Sequence, residues 1–277
     1  MSARGSTRRS GSPSFSPAAT ARSPRRPSTP QAFTSPASST RPSGACRRPA
    51  GLSSAHEESS RRSARAMSRT RIKICGITRR EDLLAAVAAG ADAFGLVFYP
   101  PSPRFVTLAA AARLSREVSP FVSCVGLFVN ADPAVVRETL AAVPLDLLQF
   151  HGDEDAVYCE QFGKPYIKAA RVRPGLDLVE FARAFTSARG ILLDAYVEGY
   201  GGAGQTFDWS LIPRNLPLPV VLSGGLTPAN VRDAVTGLRP AAVDVSSGVE
   251  AAKGIKDAGK IAAFVAAVNE ADIQLNA

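Results

Sequence analysis

The chain has 277 residues, 45% hydrophobic and 21% charged, with a formal net charge of +9. It contains no run of 18 apolar residues, so no membrane span is expected. Its four cysteines, at 46, 75, 124 and 159, form no C-x-x-C pair, and His56 and His151 are the only histidines. Neither a disulfide framework nor a metal site is therefore expected, and the cysteine usage fits a reducing compartment.

The positive charge is localised. Residues 1–66 hold twelve Arg, no Lys and only Glu57 and Glu58 as acids, whereas the remainder carries 21 basic and 22 acidic residues. That remainder has no net attraction for a polyanion, so no nucleic-acid partner is expected for it. Stretches such as "PSFSPAATARSPRRPSTP" cannot bury enough surface to offset their ordering entropy, which predicts a disordered basic segment over 1–66. Three readings of it stay open. It has the Arg- and Ser-rich, acid-poor composition of a transit peptide. It could serve as a nucleic-acid-binding arm, though its only aromatics are Phe15 and Phe33. It also fits GC-rich DNA translated from too far upstream, with Met67 as the start. The compartment expected is cytoplasmic, or plastid under the first reading.

From 67 to 277 short β-branched runs alternate with Ala-rich helical stretches, which predicts a single domain. The first run is "RIKICGI" (71–77). Positions two apart share a strand face, so Lys73 and Cys75 point one way and Ile72 and Ile74 the other. "AFGLVFY" (93–99) follows, and then Arg104 in "YPPSPRFV", a loop stiffened by prolines. "SCVGLFVN" (123–130) precedes "LLQFHG" (147–152), which ends with Gln149 and His151 on one face. After "YIKAARV" (166–172) comes "GILLDAYV" (190–197), carrying Asp194, a carboxylate costly to bury unpaired. The next segment, "EGYGGAGQTFDWSLI", reads as the weakest helix and the longest loop, and contains Gly202. "PVVLSGGL" (219–226) brings Ser223, Gly224 and Gly225; "AAVDVSSGV" (241–249) brings Asp244 and Ser246 on one face, then Ser247 and Gly248. Thr78, Thr107, Asp132, Asp153 and Thr227 stand where helix N-caps are expected, with Pro228 in the first turn of the last of these helices.

Eight strands alternating with helices over about 200 residues predict an α/β fold of the (β/α)8 TIM-barrel type. A doubly wound sheet is the alternative, but it calls for a Gly-rich loop after the first strand. Here the Gly-rich loops follow strands six, seven and eight, where a barrel binds phosphate. The polar residues above fall at the C-terminal strand ends, so one mouth would collect them. Each also has a plainer reading: Cys75 as core packing, His151 as a solvated or capping residue, Arg104 as merely exposed, the glycine pairs as turns.

Seven stretches carry a closer resemblance: "KICGIT", "FGLVFYPPSPR", "VGLFVN", "LLQFHG", "LLDAYVEGYGGAGQTFDWSLI", "LSGGLTPANV" and "DVSSGVE". From Arg71 to Val265 the chain resembles the phosphoribosylanthranilate isomerase family of tryptophan biosynthesis. The resemblance implies an Amadori rearrangement of N-(5-phosphoribosyl)anthranilate, a small phosphosugar-anthranilate substrate, with no cofactor. It implies Cys75 as general base and Asp194 as general acid, on opposite sides of the mouth. Arg104 falls on the position that contacts substrate, with Gln149 and His151 grouped beside it. Gly202, Gly224, Gly225, Ser246, Ser247 and Gly248 fall on the phosphate loops, taken to lie across the mouth from Cys75. A monomer or homodimer is expected. Lys73 either favours the Cys75 thiolate or only forms a structural pair with Asp244.

Three rival functions are distinguishable. A histidine-pathway sugar isomerase would place Asp at the end of strand one and show twin phosphate loops. A non-catalytic phosphate-binding barrel would need no acid and base in one mouth. A nucleic-acid-binding protein rests on residues 1–66 alone, with salt-dependent binding as its signature.

Overall fold

The computed structural model describes residues 69–196 and 206–277. The expected disordered segment and Gly202 lie outside the described residues.

Eight parallel strands close into a barrel in sequence order. They are β1 (Arg71–Cys75), β2 (Ala93–Val97), β3 (Ser123–Phe128), β4 (Leu147–Phe150), β5 (Tyr166–Val172), β6 (Gly190–Ala195), β7 (Val220–Leu222) and β8 (Ala242–Val245). Helices α1 (Arg80–Ala89), α2 (Leu108–Leu114), α3 (Pro133–Ala142), α4 (Ala156–Glu160) and α5 (Leu178–Arg183) follow β1 to β5. Where a helix should follow β6, the described residues form only a 3-10 turn, Trp209–Leu211. Helices α6 (Val231–Leu238) and α7 (Ala258–Asn276) complete the ring.

Alternation along the strands sorts the core. Ile72, Ile74, Phe94, Phe128, Phe150, Ile191 and Leu193 point outward and are buried under the helices. The inward set forms two smaller groups inside the barrel. Ile167, Ala169 and Leu192 make one, and Cys75, Val97, Leu127 and Val129 make the other. Burial of each large side chain contributes about 1.5–3 kcal/mol.

Closure joins β1 to β8, with Lys73 opposite Asp244. The loop after β8 is therefore next to Cys75, not across the mouth from it, which corrects the sequence expectation. The last helix locks the closure: Asp272 accepts from the Thr70 backbone N–H (2.7 Å) and hydroxyl (2.8 Å).

The caps depart from the reading in three places. Arg79, not Thr78, precedes α1, and the Thr78 hydroxyl instead donates to the Gly254 carbonyl. Asp155, not Asp153, caps α4, and Asp153 instead pairs with Arg171 at 3.0 Å. Thr107 and Asp132 cap as expected. Asn230, not Thr227, precedes α6, and Pro228 lies in the turn before that helix; the Thr227 carbonyl accepts from Val231 N–H, and Asn230 Oδ1 accepts from Thr227 N–H at 2.8 Å.

Two further features were not read from the sequence. The first is a hairpin after β8, β9 (Glu250–Ala252) with β10 (Ile255–Lys256), which packs onto the loops after β1 and β2. The second is a buried ion pair outside the barrel wall. Lys168 Nζ lies 3.2 Å from Glu154 Oε2, and both side chains are 2% exposed. Glu154 also accepts from Asn130 N–H and Gly152 N–H, while Lys168 donates to the Gly152 carbonyl at 2.6 Å. One carboxylate thus ties together the loops after β3 and β4.

Candidate active site

Cys75 is the last residue of β1 and is buried. Gly95 on β2 makes room for it, because a Cβ there would meet Cys75 Sγ at 2.8 Å and Lys73 Nζ at 3.2 Å. Lys73 Nζ donates to Asp244 Oδ1 at 2.8 Å. Burial pushes the Cys75 thiol above its ordinary range; the Lys73 charge opposes this, Asp244 adds to it, and Lys256 opposes it more weakly. Burial also works against the Lys73 ammonium, but Asp244 and Cys75 together outweigh it and raise Lys73. Both readings of Lys73 therefore hold in part: it is paired, and its charge favours the thiolate without overcoming burial.

Asp194 stands near the end of β6 and is half-buried. Its Oδ1 accepts from Ala195 N–H at 2.9 Å and its Oδ2 lies 3.1 Å from His151 Nε2. His151 Nδ1 is 3.0 Å from Gln149 Nε2. With that amide assigned as donor, the imidazole carries its proton on Nε2 and donates to Asp194. His151 is therefore not a solvated rim residue; it is 8% exposed and bound to the carboxyl. Gln149 is fully buried; its Nε2 faces His151 Nδ1, which holds that ring, while its Oε1 has no hydrogen-bond partner among the described residues.

The loops after β7 and β8 form a cradle of amides. Among the described residues, the backbone N–H groups of Gly224, Gly225, Ser247 and Gly248 have no hydrogen-bond acceptor. The loops touch because Gly248 lacks a side chain: a Cβ there would lie 1.9 Å from the Leu226 carbonyl oxygen. Gly224 has φ +80° and packs against Asp194, where a Cβ would lie 3.0 Å from Oδ1. Convergent, unpaired N–H groups are the physical requirement for binding an oxyanion.

Arg104 is buried, and its Nε and Nη2 donate to Glu250 Oε1 and Oε2 at 2.7 and 2.9 Å. Burial works against the Glu250 carboxylate, but Arg104 and Lys256 outweigh it and hold the group below the usual range. Lys256 Nζ donates to Glu250 Oε1 (3.0 Å), Ser246 O (3.0 Å) and Ser246 Oγ (3.3 Å). A lysine thus lies behind the β8 loop although the loop segments themselves contain no basic residue. The sequence signal for Glu250 and Lys256 was the Lys-Gly turn in "VEAAKGIKD", flanked by short strand-like runs. Among the described residues, no cluster of three or more His, Cys, Asp or Glu could hold a metal ion, and no helix is long and apolar enough to cross a membrane.

The arrangement offers a thiol, a carboxyl bonded to an imidazole, and unpaired backbone N–H groups, all at the C-terminal ends of the barrel strands. A sequence model described as N-(5'phosphoribosyl)anthranilate (PRA) isomerase matches residues 72–267. The N-(5'-phosphoribosyl)anthranilate isomerase of Dechloromonas aromatica is 69% identical over 204 residues, spanning 74% of this chain and 98% of that protein. The phosphoribosyl anthranilate isomerase crystal structure from Thermotoga maritima superposes with a TM-score of 0.68 at 44% identity, covering 73% of this chain and 99% of that one. A phosphoribosyl anthranilate isomerase in complex with reduced 1-(o-carboxyphenylamino)-1-deoxyribulose 5-phosphate gives 0.65 at 42% identity, with the same coverage.

Proposed function

The chain belongs to the N-(5'-phosphoribosyl)anthranilate isomerase family, and from that premise we propose that Asp194 and Cys75 are the acid and base of its reaction. The reaction converts N-(5-phosphoribosyl)anthranilate to 1-(2-carboxyphenylamino)-1-deoxyribulose 5-phosphate. Asp194 gives its proton to the furanose ring oxygen as the C1–O bond breaks, and the anilino nitrogen lone pair forms the C=N bond of a cationic Schiff base. The Cys75 thiolate then takes the C2 proton. The C–H electron pair becomes the C1=C2 bond and neutralises the iminium, giving an enolamine. Transfer of the C2 hydroxyl proton to C1 yields the ketone. Only protons move, so the chemistry calls for no cofactor.

The energetics of the base are consistent with this order of events. Burial disfavours the thiolate. The Schiff-base cation forms beside C2 and adds positive charge where the thiolate is needed, so ring opening favours the step that follows it. The substrate phosphate is assigned to the amides of Gly224, Gly225, Ser247 and Gly248. The anthranilate carboxylate is assigned to Arg104, whose Nη1 makes no bond to a described residue. His151 orients the Asp194 carboxyl and Gln149 orients His151.

The observation that carries the reading is the joint presence of Cys75 and Asp194 at strand ends beside the unpaired amides. Cys75→Ala and Asp194→Asn are each expected to lower kcat at least about 100-fold, the lower bound for a positioned proton-transfer group, with little change in KM. Substrate fluorescence follows the turnover. Near-normal turnover in Cys75→Ala would leave Cys75 as core packing.

A further inference from the structure

Around Cys75 the buried charges do not balance. Lys73 is matched by Asp244, with side chains 6% and 5% exposed. Arg104 and Lys256 share the single carboxylate of Glu250, and all three side chains are at most 8% exposed. Asp82, which accepts from the Lys256 backbone N–H at 3.0 Å, is already matched by Arg79 at 2.6 Å and adds no net charge. Lys260 reaches only the Glu250 backbone carbonyl and is exposed. Three buried cations therefore face two carboxylates. A surplus buried charge is costly unless an anion joins it.

The turn after Cys75 lies against this cluster. A Cβ on Gly76 would meet Arg104 Cδ at 2.4 Å and Ser246 Oγ at 3.1 Å, and Ser246 is the residue held by Lys256 Nζ. We propose that Lys256 supplies the surplus charge which the Cys75 thiolate neutralises, making it a positioning residue for the base that touches no reacting atom. This rests on the reading of Cys75 as the base. The charged groups that act on the thiol are Lys73 on its own strand, Asp244 on β8 and Lys256 on β10, and Glu250 joins Lys256 to Arg104. The electrostatics agree in direction. Burial lowers Lys256 below its ordinary range in spite of Glu250, and the developing thiolate raises it.

The pH dependence of Cys75 alkylation by iodoacetamide tests this on the full chain without substrate, read by mass spectrometry of the Cys75 peptide. Cys46, Cys124 and Cys159 do not interfere, because each lies outside the peptide that is read. Lys256→Met is expected to move the alkylation midpoint upward by about one pH unit, and Glu250→Gln to move it downward, since one removes a cation and the other an anion. Lys256→Arg is expected to restore the parent midpoint. At a pH below the midpoint, kcat of Lys256→Met is expected to fall about tenfold, as one unit implies, with KM within about twofold. An unmoved midpoint in Lys256→Met, or a raised KM without a shifted midpoint, would assign the surplus to a substrate anion and overturn the proposal. If Lys256→Met does not fold, Glu250→Gln decides, and a midpoint that stays or rises overturns it. The catalytic reading fails separately, through Cys75→Ala turnover, because alkylation midpoints do not depend on it.

Discussion

At Gly248 the absence of one methyl group decides whether two loops can meet. The Leu226 carbonyl occupies the place a Cβ would take, so Gly248→Ala must push the β7 and β8 loops apart. The four amides would then no longer converge on one anion. KM is expected to rise about tenfold, in line with the loss of one charge-assisted hydrogen bond, and inhibition by inorganic phosphate to weaken in parallel. Steady-state kinetics with phosphate as competitor checks this, and unchanged phosphate inhibition would place the anion elsewhere. Gly225 is the poorer probe, since its φ of +64° makes any side chain strained whatever the ligand does. Cys75, Asp194 and the Gly224–Gly225 pair could be picked out from one sequence because strand ends of a barrel share a mouth. The role of Gln149 could not, because its bond to His151 depends on side-chain conformation as well as on strand face. Lys256 was missed for another reason: it reaches Ser246 only after a hairpin folds back, and the Lys253–Gly254 turn that marks the hairpin does not say where its second strand will land.

Among the elements, the loops after β3 and β4 depend on one ion pair whose side chains are both buried. Lys168→Met leaves Glu154 charged and buried at 2% exposure. Breaking such a pair costs about 3–5 kcal/mol, because the remaining charge is uncompensated. Urea denaturation is expected to show a loss of that size; a loss below about 1 kcal/mol, the range of exposed pairs, would mean that water reaches Glu154. The strands themselves were legible to within a few residues, and β5 over its whole length, because inward and outward burial imposes a period that survives in the sequence. The caps were less so. Thr78 and Asp153 have the right chemistry but are used by neighbouring segments, Gly254 in one case and Arg171 in the other.

For the whole molecule, the closed barrel leaves its thiols little access to water, and this sets a pH limit. Cys124 and Cys159 are raised from 9.0 to about 12, chiefly by burial. Between those values the unfolded chain has released protons that the folded chain still holds. Stability from this source is therefore complete below about pH 9 and declines as pH rises toward about 12. Urea midpoints are expected to be lower at pH 10 than at pH 8, and less so in a Cys124→Ala variant compared with its own pH 8 value. Equal midpoints at the two pH values would show that the thiols are hydrated in the fold.

The Thr70 to Asp272 contact has one more consequence. It fastens the segment entering the first strand to the helix that closes the ring, so the chain ends of the barrel lie side by side. A ring of repeating strand-helix units has no intrinsic first member; the order in which the ribosome delivers them is one of eight equivalent choices. Circular permutation should therefore be tolerated. A chain that links Ala277 to Arg69 through a few Gly and Ser residues, and opens between Ser119 and Phe121 where Phe121 is 93% exposed, is expected to give the parent's circular dichroism and turnover. A permuted chain that folds but does not turn over would mean that the connection between α2 and β3, at the opposite end of the strands from the mouth, holds the site in shape from below.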